Sequence, residues 1–257
     1  MLYDKEYKIA WRGEAQDEFL CLHGRSASTE IFRSQTASFR TLQDDSYEFD
    51  FVDAPYACEP AAGIDLFYSP PFHSFYDPNI ESIKKGHQWL LAYIDLHGPY
   101  NGAMDFCQGC ALTASLLLYH LGFGVSDGAR RIDGSSNLQL MENASNAAIL
   151  KDGTQRWGEG FDASVKDDKS NVSGFKFEEI SKECLIQTPT VHVYGARDPR
   201  YPSSMTLSRF CSSAARRTYD HGGGHDIPRM KNVSVMIREL VEWCAMMQID
   251  GDELKSR

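Results

Sequence analysis

Short apolar runs alternate along this chain with longer segments whose apolar positions return every three to four residues, the pattern of strands taking turns with helices. "EFLCLHG" (18–24) predicts a strand that breaks at a glycine. "STEIFRSQTASFRTLQ" (28–43) follows as a helix, with Ser28 or Thr29 as N-cap and Ile31, Phe32, Gln35, Phe39 and Leu42 near helical spacing. "YEFDFVDAP" (47–55) predicts the next strand. Residues 80–97 predict a helix that turns Ile83, Trp89, Leu90, Tyr93 and Ile94 inward. "GPYNGAMDF" leads by a strand into Cys107, and 108–122 reads as a strongly apolar helix. Further on, "TPTVHVYGARDP" (188–199) predicts a strand and turn. A helix near 203–213, a strand at "RTYDH", a glycine turn at "GGGH" and a final helix over 231–247 follow.

Such alternation predicts an α/β fold, a mostly parallel central sheet flanked by helices, in a single domain over 1–257. Some stretches depart from the rhythm. Residues 56–79 are proline-rich, aromatic and non-periodic, as in surface loops that cover sites. Residues 123–145 predict a loop plus a short helix, and 146–153 a strand. Residues 154–182 carry many charges and few large apolar residues, which predicts an excursion from the core.

Composition narrows the function. A chain of 257 residues, 42% hydrophobic and 12% aromatic, has enough apolar material for a substantial core and is not a disordered protein. Its net charge of -10, with lysines and arginines scattered, repels nucleic-acid backbones and anionic membranes. No apolar run reaches fifteen residues, and the first segment is charged throughout, so neither a membrane span nor a signal peptide is expected. Seven cysteines without framework spacing point to reduced thiols in the cytosol. "RDPRYP" (197–202) and "AARRTY" (214–219) read as solvated loop charges or as patches for a small acidic partner such as a carrier protein.

Three polar residues fall where this order of elements puts loops on one edge of a parallel sheet. Cys107 ends a strand and precedes a helix, Asp198 lies three positions after the glycine of "VHVYG", and His225 follows the last short strand. Side chains and helix N-termini converge at that edge. Nucleophile, acid, histidine is also the chain order of the α/β-hydrolase triad, and "DFCQG" stands where such an enzyme carries Gly-x-Ser-x-Gly. A helix N-terminus favours the reactive thiolate. His225 would accept the thiol proton and Asp198 would fix its tautomer. The backbone N–H groups of Gln108 and Arg25 would form the oxyanion hole. Other readings of the same residues stay open. Cys107-x-x-Cys110 matches a redox pair, His221-x-x-x-His225 is a weak zinc spacing broken by three glycines, and His221 competes with His225 for the role of base.

"CLHGRSASTEIFRSQTASFR", "FDFVDAP", "MDFCQG", "VHVYGARDP" and "HGGGHDIP" together resemble the fungal FSH-type serine hydrolases, in the family's order over roughly 18–228. The resemblance implies the α/β-hydrolase fold with no cofactor and no metal. It also implies a triad on Cys107, Asp198 and His225. Several members of that family are thioesterases that release polyketides from fungal synthases. Two departures matter: cysteine replaces serine, and Asp105 replaces the first elbow glycine. The cysteine form is similar to polyketide cyclases that make medium-ring lactones of the decarestrictine type. The expected activity is therefore acyl transfer through Cys107 from a carrier-bound polyketide thioester, ending in lactone closure. The alternatives are hydrolysis with water as acceptor, and a non-catalytic ligand-binding homologue. Asp105 is expected to point away from Cys107. "DLFYSPPFHSFY" (65–76) is expected either to wall a water-excluding pocket or to pack as a structural loop.

Overall fold

The computed structural model describes residues 17–43, 45–61, 63–124, 171–172, 175–176 and 185–255. Strand β1 (Asp17–Leu22) lies between two parallel neighbours, β2 (Tyr47–Val52) and β5 (Gly102–Asp105). A strand with partners on both sides buries both of its faces, so alternate residues go to opposite cores. Leu20 and Leu22 join Val52, Ile83, Leu90 and Leu112 on the face covered by helices α2 (Ile80–His97) and α3 (Gln108–Gly124). Cys21 joins Phe32 and Phe51 on the other face, under helix α1 (Thr29–Arg40).

The helices start where side chains satisfy their free N–H groups. Ser28 caps α1 by accepting from the Ile31 N–H at 3.4 Å, and Asn79 caps α2 by accepting from Ser82 at 2.9 Å. On α1, Ile31, Phe32, Thr36 and Phe39 are buried. Thr36, not Gln35, takes the fourth inward position, because its hydroxyl bonds the Phe32 carbonyl at 2.8 Å. Helix α4 (Tyr201–Arg209) begins two residues before the position predicted for it. Pro202 lies in its first turn, where a missing N–H costs nothing. Strands β8 (Thr190–Tyr194) and β9 (Arg216–Asp220) pair in parallel, and helix α5 (Lys231–Lys255) packs Val233 and Ile237 against Phe39 of α1. Parallel strands flanked by helices are the α/β architecture that the alternation predicts.

The 56–79 segment is more ordered than its composition suggests. Strands β3 (Tyr56–Cys58) and β4 (Phe72–Ser74) pair antiparallel within it. Phe75 and Tyr76 are completely buried in the main core, while Leu66 and Phe67 project into solvent. Of the expectations for 123–182, the strand over 146–153 lies outside the described residues. So do the loop and short helix beyond residue 124. Within 154–182 the described part is a two-residue antiparallel pairing of β6 (Asn171–Val172) with β7 (Phe175–Lys176).

Candidate active site

Strand β5 ends at Asp105, and the chain turns so sharply into α3 that Cys107 has a left-handed backbone, φ +53°. That conformation costs a side-chain-bearing residue about 1–2 kcal/mol, so the surroundings must enforce it. They do so by packing. A Cβ on Gly109 would stand 2.5 Å from the Leu22 carbonyl oxygen, so only glycine lets α3 press its first turn against the end of β1. The Gln108 side chain is fully buried and works as a clamp. Its Oε1 accepts from the Phe75 N–H at 2.9 Å and the Ser74 hydroxyl at 3.2 Å, and its Nε2 donates to the Tyr76 carbonyl at 2.8 Å. The aromatic segment thus fastens the elbow from beneath. None of its residues lines the pocket around Cys107, so of the two expectations for it the structural loop is the one the geometry matches.

The loop after β1 runs beside the elbow. A Cβ on Gly24 would lie 3.2 Å from the Cys107 Cβ, so the loop passes directly against the Cys107 side chain. Ser26 also has a left-handed backbone, φ +59°, and its N–H bonds the His73 carbonyl at 2.9 Å. Behind this loop His23 is wholly buried. Its Nε2 accepts from the Ala54 N–H at 3.1 Å and its Nδ1 meets the Gly24 carbonyl at 2.6 Å, the pattern of a neutral ring protonated on Nδ1. Burial also pushes its pKa down. His23 therefore ties the "HG" of β1 to the "DAP" after β2. The Arg25 side chain leans away, 4.0 Å from Asp77. The Gln108 N–H is the first of α3, one of the helix-start donors with no acceptor inside the helix.

From the opposite side come the acid and histidine turns. Asp198, buried, accepts at Oδ2 from His225 Nδ1 at 2.7 Å and at Oδ1 from the Arg200 N–H at 2.7 Å. Burial works against its charge, but these two bonds and the nearby cations hold its carboxyl below the usual range. With Nδ1 on Asp198, Nε2 is the nitrogen left for Cys107, to which His225 is also hydrogen-bonded. Burial disfavours the imidazolium. The bonds to Asp198 and Cys107, with their negative charges, outweigh that and push the pKa up to about 9. The Phe106 ring lies 5.0 Å from the His225 ring and limits its swing. His221 lines the same pocket, but its Nδ1 accepts from Gly223 N–H at 3.2 Å and it takes no part in the Asp198 bond.

Cys107, Asp198 and His225 are thus brought together, with Arg25 on the loop after β1 and Gln108 at the start of α3. Asp105 lines the same pocket, and its charge, after burial, helps to push the Cys21 thiol on β1 well above its ordinary pKa. Cys110 donates its thiol to the Asp105 carbonyl at 3.2 Å.

The arginines read as solvated loop charges or basic patches each meet a partner in the chain, Arg197 and Arg217 while exposed and Arg200 and Arg216 while half-buried. Arg200 places Nη1 2.6 Å from the Cys107 sulfur. Arg197 donates to the Gly222 carbonyl at 2.8 Å, Arg216 to the Ser208 carbonyl at 2.5 Å, and the Arg217 guanidinium lies 4.6 Å over the Trp243 ring. Sequence reasoning missed Arg200, His23 and the Gln108 side chain. Only Arg200 left a trace, standing two positions after the acid in the turn that opens α4.

Several proteins with known descriptions are similar to this chain in sequence. "Esterase FPY3" of Fusarium mangiferae is 26% identical over 215 residues, which cover 82% of this chain and 88% of the relative. A "Probable esterase" of Aspergillus terreus is 28% identical over 239 residues, covering 86% of each. Among solved structures, Arabidopsis thaliana SOBER1 covers 90% of this chain and 99% of its own, with 16% identity and a TM-score of 0.49. The family model described as "Serine hydrolase (FSH1)" matches residues 14–237, a span that takes in the β1 loop, the elbow and both the acid and histidine turns. The chain accordingly belongs to this serine hydrolase family and is a hydrolase of α/β-hydrolase fold.

Proposed function

We propose that this hydrolase works by acyl transfer through Cys107, taking a polyketide chain from a carrier-bound thioester and releasing it as a lactone. The observation that carries the reading is the Asp198–His225 pair turned toward a sulfur held in a left-handed elbow at the start of α3. His225 Nε2 takes the Cys107 proton, and the thiolate attacks the carbonyl carbon. The N–H groups of Gln108 and Arg25 receive the negative oxygen. As the carbonyl re-forms, the carrier thiol leaves with the proton from His225. One thioester has replaced another, so the step is close to thermoneutral and the acyl-cysteine stays activated toward an alcohol.

The second half uses a change in His225. A sulfur carrying an acyl group has no negative charge, and that charge is one of the influences that raise the histidine's pKa. Its loss moves His225 toward the neutral form, which can accept a proton from the incoming hydroxyl. If that hydroxyl is the chain's own, a lactone closes and His225 returns the proton to Cys107. A cytosolic setting, where thiols stay reduced, suits such a nucleophile. The relatives' names favour a second reading with the same acyl-enzyme, because they are described as esterases, and water would then be the acceptor.

The test is incubation of the protein with a hydroxyacyl thioester, followed by the masses of product and intact protein. The proposal expects a product lighter than the hydroxy acid by one water, and a transient acyl adduct that Cys107→Ala abolishes. Exclusive free acid would overturn lactonisation in favour of hydrolysis. No adduct and no product would overturn both, leaving a binding protein.

A further inference from the structure

We infer that Arg200 is the counter-cation of Cys107, so that the resting site holds a thiolate between the Arg200 guanidinium and the His225 imidazolium. The inference rests on Cys107 being the nucleophile. Nη1 of Arg200 lies 2.6 Å from Sγ, while the backbone N–H of the same residue is fixed on Asp198 Oδ1 at 2.7 Å. One short turn therefore aims both the carboxylate that steers His225 and the guanidinium that meets the sulfur. Arg200 is half-buried and is the one Lys or Arg among the described residues lining the pocket. Cys107 shares that pocket with the carboxylates of Asp105, Asp198 and Asp226, the His221 and His225 imidazoles and the Cys110 thiol. Three carboxylates beside a thiol oppose its ionisation, and Arg200 supplies the fixed positive charge that offsets them.

The contact also gives a reason for sulfur at this position. A guanidinium cannot take up the thiol proton at ordinary pH, and here the proton passes from Sγ to His225 Nε2. What Arg200 does is stabilise the anion that remains. A thiol lies within a few pH units of ionising, so a neighbouring cation makes the thiolate the resting species. A serine hydroxyl lies far from ionising, and the same N–H would merely occupy its lone pair and blunt its attack. Arg200 is thus expected to help a cysteine enzyme and to hinder a serine one.

The experiment follows Cys107 alkylation by iodoacetamide, located by mass, together with thiolate absorbance, against pH in the wild type, Arg200→Lys and Arg200→Met. In the wild type both signals should titrate well below the free-thiol value of about 8.5. In Arg200→Met the midpoint should rise by about one pH unit, slowing alkylation near pH 6 by about tenfold, with the charge-retaining Arg200→Lys between the two. A folded Arg200→Met with the wild-type profile would overturn the inference. So would a wild-type midpoint at the free-thiol value, which needs no variant. Alkylation does not depend on turnover, so a normal profile with no acyl adduct would defeat the proposed function and leave the ion pair standing.

Discussion

The two sides of the pocket are built by different means. On the elbow side Cys107 and Gln108 are buried, Gly109 touches the backbone of Leu22, and the Gln108 amide is spent entirely on residues 74–76. On the other side two surface turns hold each other by polar bonds. Arg197 N–H bonds the Gly223 carbonyl at 3.0 Å, and the Asp220 carboxylate accepts from Ala196 at 2.9 Å and from Gly222 at 2.7 Å. About a third of the His225 side chain is open to solvent. Close packing and a buried amide clamp fix Cys107, whereas solvent-reachable hydrogen bonds and charge fix His225. Damage to the first should appear as lost stability, and damage to the second as lost rate.

The sharpest way to break this contrast is Asp198→Asn. Oδ1 can still accept from Arg200, but the amide no longer selects the Nδ1–H tautomer, so turnover of a thioester should fall by up to about 10⁴-fold. Above about pH 9, where the His225 imidazolium no longer adds stability, the melting temperature should move little. A large loss of stability with modest loss of rate would reverse the assignment of roles.

Gly109→Ala probes the elbow. The added methyl, aimed at the Leu22 carbonyl, should cost about 1–3 kcal/mol in denaturant unfolding, with activity lost through displacement of Cys107. An alanine variant as stable as the wild type would mean that the elbow is not held by close packing.

The smallest effect concerns pH. His225 has its pKa raised from 6.5 to about 9 in the folded protein, so protonated imidazole binds more tightly there than in the unfolded chain. That contribution is complete below about 6.5 and disappears as pH climbs through about 9. The melting temperature should therefore decline over this window, and Asp198→Asn should flatten the decline. A melting temperature that rises there would contradict the direction of the shift.

What the sequence revealed follows from the same contrast. The strand–helix alternation, the 80–97 helix and the order of Cys107, Asp198 and His225 were legible because each depends on local periodicity or on a short turn motif. The burial of Phe75 and Tyr76 was not, since proline-rich aromatic sequence looks alike whether it covers a pocket or plugs a core. The reach of Arg200 to a sulfur 93 positions away depends on how two strand ends are juxtaposed, which no local pattern encodes. His23 was hidden for a related reason. A histidine before a glycine reads as loop chemistry, while its Nε2 in fact accepts from the backbone of Ala54, in the turn just after β2.

Phe106 stands where all of this meets. Its ring faces the His225 imidazole on one side and would be 3.1 Å from a Cβ on Gly24 on another, and its backbone leads directly into Cys107. The spacing between Cys107, the loop after β1 and the His225 ring is thereby gauged by one phenyl group. Evolution or an engineer cannot widen one of those gaps by trimming this residue without altering the other two, so acceptor preference has to be tuned from elsewhere in the pocket.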